Sequence, residues 1–154
     1  MNANSLWGGL FAALLFVSQG CGSARLDPAS EAGKLAVARG RWAASGIRSY
    51  RFTVTRSAFV APGYGGPARV TVTNGVVTSV EPAGEKPVAK NAFDDCDTIE
   101  ELFGKAQSGV ETPGAIVNGD YDPLTGVPKS IAVDPIPLAA DDEATYFVAD
   151  FTAI

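Results

Sequence analysis

The chain has 154 residues, of which 46% are hydrophobic and 19% charged, so it is long enough for one globular domain with a core and too apolar to be disordered. Its net charge of −5 argues against nucleic acid as a partner, and the absence of histidine excludes histidine-dependent triads and zinc sites. The 17 glycines and 10 prolines predict frequent turns and short elements, which favours strands.

An apolar block spans residues 6–17 and is followed by a run of small and polar residues. The block is too short to cross a bilayer, which needs ~20 residues, and it is typical of a secretory signal. Cys21 follows Gly20 at the border of the block, where bacterial lipoprotein signals place the cysteine that receives acyl chains. The sequence therefore predicts lipid attachment at Cys21 and a location in the cell envelope, on the periplasmic or surface side.

Two alternatives stay open, because the leader departs from the lipoprotein pattern. Ser18 and Gln19 stand where such signals prefer Leu and a small residue, and residues 1–24 contain no Lys or Arg. An ordinary signal peptidase would cut after Gly20 or Ala24 and release a secreted protein. The block would otherwise be an uncleaved anchor or a helix of the core.

The lipoprotein interpretation sets the domain boundaries and the first partner. It makes residues 1–20 an atypical lipoprotein signal peptide, residues 21–27 a tether and residues 28–154 a single domain. Each buried methylene of an acyl chain contributes ~0.8 kcal/mol, so two or three chains on Cys21 would hold the protein at a membrane. An envelope protein is the second partner that we expect, and no cofactor is expected.

The second cysteine, Cys96, has no partner in the chain if Cys21 carries lipid. Asp94, Asp95 and Asp97 surround it, and their negative charge would disfavour the reactive thiolate, which favours an inert thiol. The alternative is a disulfide between Cys21 and Cys96, which requires that Cys21 be retained without lipid.

The first predicted element of the domain is a helix. Asp27 is expected to cap it and Pro28 to occupy its first turn. Leu35, Ala38 and Trp42 recur at helical spacing and predict its buried face, and Gly46 is expected to end it.

Strands follow. In "YRFTVTRSAFV", the apolar residues Tyr50, Phe52 and Val54 alternate with polar ones, which predicts a strand with one buried face. In "RVTVTNGVVTSV", Asn74-Gly75 predicts a type I′ turn of a hairpin. This turn pairs Val72 with Val77 across the hairpin.

The second half repeats this order. A helix is expected from Asp97 as N-cap, with Glu100 at the reciprocal capping position, to Gly109. Its predicted apolar stripe is formed by Ile99, Leu102, Phe103 and Ala106. A hairpin follows with its turn at residues 122–126, Pro128 marks an edge or a strand entry, and "ATYFVADF" supplies a last strand.

These elements predict an α+β fold of order α-βββ-α-βββ. The short connections require antiparallel pairing, because parallel neighbours need a crossover of a dozen residues or more. We expect a sheet of about six strands with two amphipathic helices on one face.

The order of several segments resembles the DUF6174 proteins, a bacterial family of unknown function whose members are often exported and lipid-anchored. The similarity covers roughly Trp42 to Phe151. It rests on "GIRSYRFTVTRSAF", "GGPARVTVTNGVVTSV", "TIEELF", "YDPLTGVPKSIAVD" and "DDEATYFV". The resemblance implies an envelope protein with a small mixed sheet, and it implies no reaction.

Carboxylates are the candidates for catalysis that remain without histidine. Two carboxyls about 5–10 Å apart would suffice for a glycosidase-type hydrolase, and Asp141 and Asp142 are the pair to test. The other members of the set are Asp120, Asp122, Asp134 and Glu143. Most of these residues lie in turn signals, where aspartate bonds the local backbone, so no catalytic residue is assigned. "NGDYDPLTG" lacks the spacing and the terminal glutamate of a calcium loop, and no metal site is assigned.

The glycine-rich segment "PGYGGP" joins two predicted strands, so phosphate binding is not expected there. It is interpreted as a contact loop formed by Tyr64, Gly65 and Gly66, with Tyr64 exposed at its tip. The function that follows is a non-catalytic binding module of the envelope. The alternatives are a carboxylate-dependent hydrolase and a small inhibitor-like or assembly factor.

Overall fold

A computed structural model describes residues 26–58, 66–84, 97–139 and 141–154 of the chain. The elements follow one another in the predicted order α-βββ-α-βββ. They are α1 (Glu31–Ser45), β1 (Tyr50–Ala58), β2 (Ala68–Thr73), β3 (Val76–Pro82), α2 (Ile99–Glu111), β4 (Ile116–Tyr121), β5 (Pro128–Asp134) and β6 (Ala144–Ala153).

The six strands form one antiparallel sheet in the order β3-β2-β1-β6-β5-β4. Each half of the chain contributes a three-stranded meander, and the two meanders join where β1 pairs with β6. The predicted α+β class is therefore confirmed, and β3 and β4 are the two edge strands.

Both helices pack on one face of the sheet and bury the predicted apolar positions. In α1 these are Leu35, Ala38 and Trp42, which are at most 6% exposed. The Tyr50 OH, at the start of β1, accepts a hydrogen bond from Ile99 N, and Gly109 of α2 lies against Val117 and Val133. Helix α2 therefore crosses the sheet from β1 toward β4 and β5. The remaining core side chains are Phe52, Val54, Ala68, Val70, Val72, Leu102, Phe103, Ala106, Val127, Ile131 and Tyr146.

The β2–β3 hairpin has the predicted turn and pairing. Asn74 and Gly75 both have positive φ, 53° and 80°, as a type I′ turn requires. Val72 pairs with Val77, and a bulge between Thr71 and Val72 shifts the register farther along, a feature that the sequence pattern did not indicate.

Helix α1 begins later than predicted. Its N-cap is Ser30, whose hydroxyl accepts a hydrogen bond from Gly33 N at 3.0 Å. Asp27 instead organises a preceding turn, in which its carboxylate accepts from Ala29 N and its carbonyl from Ser30 N. The C-terminal prediction is confirmed, because Gly46 caps α1 in the left-handed conformation.

Helix α2 begins later than predicted as well, in this case by one residue. The N-cap is Thr98, not Asp97, and the residue that completes the capping box is Glu101, not Glu100. The helix continues past Gly109 to Glu111. Gly109 lies within the helix, where a Cβ would come within 2.6 Å of Val117 Cγ2, so glycine permits close helix–sheet packing at this position.

The β4–β5 hairpin has its turn at the predicted position. The Asp122 carboxylate accepts hydrogen bonds from Leu124 N, Thr125 N and Thr125 Oγ1, so it stabilises the local turn. Pro128 is the first residue of β5, which lies between β4 and β6. It therefore marks a strand entry and not an edge.

Candidate functional site

A cleft of about 630 Å³ lies between α2 and the part of the sheet where β1, β5 and β6 meet. It is larger than two other cavities of about 440 and 410 Å³. We call it the α2 cleft. Its lining residues come from α2, from the three strands and from the segments that flank these elements; they include Arg56, Asp97, Glu101, Lys105, Asp142 and Tyr146.

The cleft lies beside the core, at the point where the buried residues of β1 end. Tyr50, Phe52 and Val54 point toward the helices, and the same alternation brings Arg56 to this face four residues after Phe52. Arg56 pairs with Tyr146 across β1–β6. A charged residue therefore follows Val54 on the inward face of β1, beside an aromatic residue that is only 8% exposed.

Two cations lie on the Tyr146 ring. The Arg56 guanidinium carbon is 5.8 Å and Lys105 Nζ 5.4 Å from the ring centroid, both within the range of a cation–π contact. Lys105 also forms an ion pair with Asp97, with Nζ 3.3 Å from Oδ1. Arg56 has no ion pair with any residue that the structure describes.

The three carboxylates of the cleft have different environments. Asp97 is paired with Lys105, and Glu101 accepts hydrogen bonds from Thr98 N at 2.7 Å and from Thr98 Oγ1 at 3.0 Å. Both carboxylate oxygens of Asp142 are buried and have no hydrogen-bond partner among the described residues. Two carboxylates are thus engaged by the protein itself and the third is left without donors.

Burial raises the pKa of Asp97 above 3.8, although Lys105 acts in the opposite direction. A group with a raised folded-state pKa stabilises the fold while it is protonated, and this stability is lost as the pH rises through the folded-state pKa. We expect wild type to lose stability relative to Asp97→Asn as the pH rises from about 4, near the pKa of an unfolded aspartate. Urea denaturation of both proteins between pH 3.5 and 7 measures the difference. A gain for wild type with rising pH would mean that the Lys105 attraction dominates.

Several residues singled out in the sequence lie outside the described part of the chain. These are the lipidation candidate Cys21, the second cysteine Cys96, and Tyr64 and Gly65 of the proposed contact loop. Gly66 is described; it is half-buried and precedes β2. The contact loop and the Cys21 anchor therefore stay predictions.

The candidate carboxylates of the hydrolase alternative do not converge on one place. Asp142 lines the α2 cleft, whereas its neighbour Asp141 is exposed and has a φ of 76°. Asp122 stabilises its own turn, and Asp120 lies exposed on the edge strand β4. Within the described residues, no group of three or more His, Cys, Asp or Glu side chains is placed to hold a metal ion.

Sequence reasoning missed Arg56, Lys105 and Tyr146 as members of one site. The signal for Arg56 was present, because a charged residue occupies an inward position in the alternation of β1. Nothing in the sequence indicated that Tyr146 would lie opposite it or that Lys105 would reach the same ring, since both contacts depend on how α2 crosses the sheet.

Comparison with known protein families gives a match over most of the chain. A family model described as "Family of unknown function (DUF6174)" matches residues 34–153, which includes all elements from α1 onward except its first turn. No curated protein and no solved structure matches the chain. Among the described residues, no helix is long and apolar enough to cross a membrane.

Proposed function

We propose that this chain, which belongs to the DUF6174 family, is a non-catalytic binding domain. In this proposal the domain is exported, is held at a membrane through Cys21, and binds a small polar ligand in the α2 cleft. The family description names no activity, so the proposal rests on the residues of this chain. The observation that carries it is the α2 cleft itself.

The cleft has the features of a small-molecule site. Its volume of about 630 Å³ lies within the ~300–1,000 Å³ that is usual for ligand pockets. Side chains of both charges line it together with the Tyr146 ring, and among them Arg56, Glu101 and Lys105 come from a strand and a helix. Regular elements hold side chains in fixed positions, which favours recognition of one ligand geometry.

Binding is favoured over hydrolysis by the way the cleft uses its carboxyls. A hydrolase of the carboxylate type needs one group to donate a proton and another to act as base or nucleophile. Here Asp97 is held by Lys105, and Glu101 is held by the N-terminus of α2. These two groups therefore serve the structure of the site.

The membrane tether is supported by the apolar block before Cys21 and by the short distance to the domain. Only four residues separate Cys21 from Leu26, the first described residue, so the five steps of an extended tether would span at most ~18 Å. An acylated Cys21 would then keep the domain close to the bilayer surface.

Mass spectrometry of the protein extracted from membranes tests the tether. We expect residues 1–20 to be missing and Cys21 to carry the mass of acyl chains, and Cys21→Ser to leave the protein unacylated. An intact leader with an unmodified Cys21, recovered in the soluble fraction, would refute the anchor.

Gly104 offers a test of the cleft. It lines the cleft, and a Cβ at this position would meet nothing within 4 Å, so Gly104→Leu should fill the cleft without disturbing the fold. Gly40 in α1 is the matched control, because its Cβ position is equally open and it lies outside the cleft. Both changes should raise helix stability by up to ~1 kcal/mol, since glycine is a poor helix former.

The purified proteins are incubated with a low-molecular-mass extract of the cell envelope, and native mass spectrometry measures what each retains. Wild type and Gly40→Leu should retain the same compounds, and Gly104→Leu should lose them at least ~10-fold, as expected when a ligand pocket is filled. Equal retention by all three proteins would refute binding in the cleft.

A further inference from the structure

We infer that Asn74-Gly75 is a site of spontaneous deamidation, and that the segment between α1 and β1 restrains the reaction while the β2–β3 hairpin is closed. The inference is independent of the proposed binding function. It starts from the two Asn-Gly pairs of the chain, Asn74-Gly75 and Asn118-Gly119, which the fold places in different settings.

Asparagine followed by glycine reacts within its own chain, because glycine has no side chain to hinder the approach of its amide nitrogen. That nitrogen loses its proton and bonds to the asparagine Cγ, the Cγ–Nδ2 bond breaks, and ammonia leaves. Water then opens the cyclic imide at either carbonyl, which gives aspartate or isoaspartate. The sequence of steps releases ammonia, consumes water and needs no enzyme.

The position of Asn74-Gly75 makes it the more reactive pair. Both residues are exposed and form the two central positions of a type I′ turn, with φ values of 53° and 80°. The turn joins β2 to the edge strand β3, so it can open without separating the central strands of the sheet. Local opening of this kind costs less than unfolding of the whole domain.

Two hydrogen bonds hold the turn to the segment between α1 and β1. Gly75 N, the nucleophile of the reaction, donates to the carbonyl oxygen of Arg48 at 2.8 Å. Asn74 N donates to Ser49 Oγ at 3.1 Å. A nitrogen whose proton is held by a carbonyl is a poor nucleophile, and the two bonds oppose the backbone rotation that closes the imide. The reaction therefore proceeds from the open turn, and the population of open turns sets its rate.

Asn118-Gly119 is the same dipeptide within a paired strand. Asn118 pairs with Ala132 and Gly119 with Ile131 along β4 and β5. Gly119 N also donates to Glu31 Oε2 at 2.9 Å, so α1 holds this nitrogen as well. Opening this pair requires the loss of ladder contacts with β5 and of the contact with α1. We therefore expect Asn118 to react more slowly than Asn74 in the folded protein.

Isoaspartate at position 74 would disrupt the hairpin. An isoaspartyl residue carries the main chain through its side-chain carbons, so the turn gains a backbone atom and loses its type I′ geometry. Strand β3 contributes Val77 and Val80, which pack against the core. The reaction thus converts a transient opening of the turn into a permanent weakening of this edge of the sheet.

Peptide mapping by mass spectrometry, with detection of isoaspartate, tests the inference on the full chain incubated at mildly alkaline pH. The rate at each Asn-Gly pair is measured in the native protein and in guanidinium chloride. Ser49→Ala removes the acceptor of Asn74 N, and Ser108→Ala, at an exposed position of α2, is the matched control. Thermal melting verifies that both variants are folded, and Asn74→Gln identifies the signal from this site.

We expect both pairs to react at similar rates in denaturant. In the native protein Asn74 should react ~5- to 100-fold more slowly than in denaturant, because two ordinary hydrogen bonds hold the turn closed, and Asn118 should react more slowly still. Ser49→Ala should raise the native rate at Asn74 ~2- to 10-fold, and Ser108→Ala should leave it unchanged. Protein isolated with isoaspartate at position 74 should melt at least ~4 °C below the unmodified protein.

The inference is overturned if Asn74 reacts as fast in the native protein as in denaturant, or if Asn118 reacts faster than Asn74 in the native protein. It is also overturned if Ser49→Ala leaves the rate at Asn74 unchanged, or if Asn74 does not react in any of the folded proteins. An isoaspartyl protein that melts like the unmodified one would refute the weakening of the β3 edge.

Discussion

Gly126→Ala is expected to lower the free energy of unfolding by about 3 kcal/mol or more, one of the two largest effects that we expect. Gly126 closes the β4–β5 turn with a φ of 80°. A Cβ there would lie 2.1 Å from the carbonyl oxygen of Ala38 and 3.0 Å from Trp42 N, which are backbone atoms of α1. A helix backbone cannot move aside as a flexible side chain can, so the turn must separate from α1.

Gly114 separates this clash from simple backbone strain. Its φ is 85°, but a Cβ at Gly114 would meet nothing within 4 Å. Gly114→Ala should therefore cost only the strain of a left-handed alanine, about 1 kcal/mol. Urea denaturation of the two variants and wild type measures the difference. Equal losses for both variants would show that the turn does not depend on its contact with α1.

Local patterns in the sequence were sufficient to predict the elements and their buried faces. The alternation of Tyr50, Phe52 and Val54 and the stripe of Ile99, Leu102 and Phe103 report burial directly, because side chains repeat every two residues in strands and every three to four in helices. Asn74-Gly75 likewise predicts its own turn. Strand order depends on contacts between β1 and β6, which are far apart in the chain, and no local pattern encodes it.

The cap of α2 shows why helix boundaries were harder to predict. The sequence contains two overlapping capping boxes, Asp97 with Glu100 and Thr98 with Glu101. The second one forms, because the Glu100 carboxylate is bonded by two core side chains and the Asp97 carboxylate by Lys105. Tertiary hydrogen bonds therefore selected between two locally equivalent starts.

The candidate site was less predictable than the fold for the same reason. Asp142 was singled out as an acidic residue beside Asp141, yet of these two only Asp142 lines the α2 cleft. Arg56 and Lys105 are ordinary surface cations in the sequence, and they become a pair only through the Tyr146 ring. A site assembled from side chains on separate elements is defined by packing geometry, which one sequence does not reveal.

Glu100 is the acceptor that joins the two helices to β1. Its Oε1 accepts a hydrogen bond from Trp42 Nε1 at 3.0 Å, and its Oε2 accepts one from the Tyr50 hydroxyl at 2.7 Å. The same hydroxyl accepts from Ile99 N. Burial and the bond to Glu100 raise the pKa of the Tyr50 phenol, so it stays a donor throughout the ordinary pH range. One exposed glutamate thus satisfies two donors of the aromatic core.

Glu100→Ala is expected to destabilise the protein by about 2–4 kcal/mol, because it leaves the Trp42 and Tyr50 donors without an acceptor and each buried unsatisfied group costs about 1–3 kcal/mol. Glu111→Ala on the same helix is the control; among the described residues Glu111 accepts one exposed side-chain hydrogen bond, from Gln107, and its loss should change stability by less than about 0.5 kcal/mol. The double variant Glu100→Ala with Tyr50→Phe should cost less than the sum of its single changes, because phenylalanine has no donor to leave unsatisfied. Chemical denaturation measures all four. Strict additivity, or an effect of Glu100→Ala no greater than that of Glu111→Ala, would show that the core does not depend on this carboxylate.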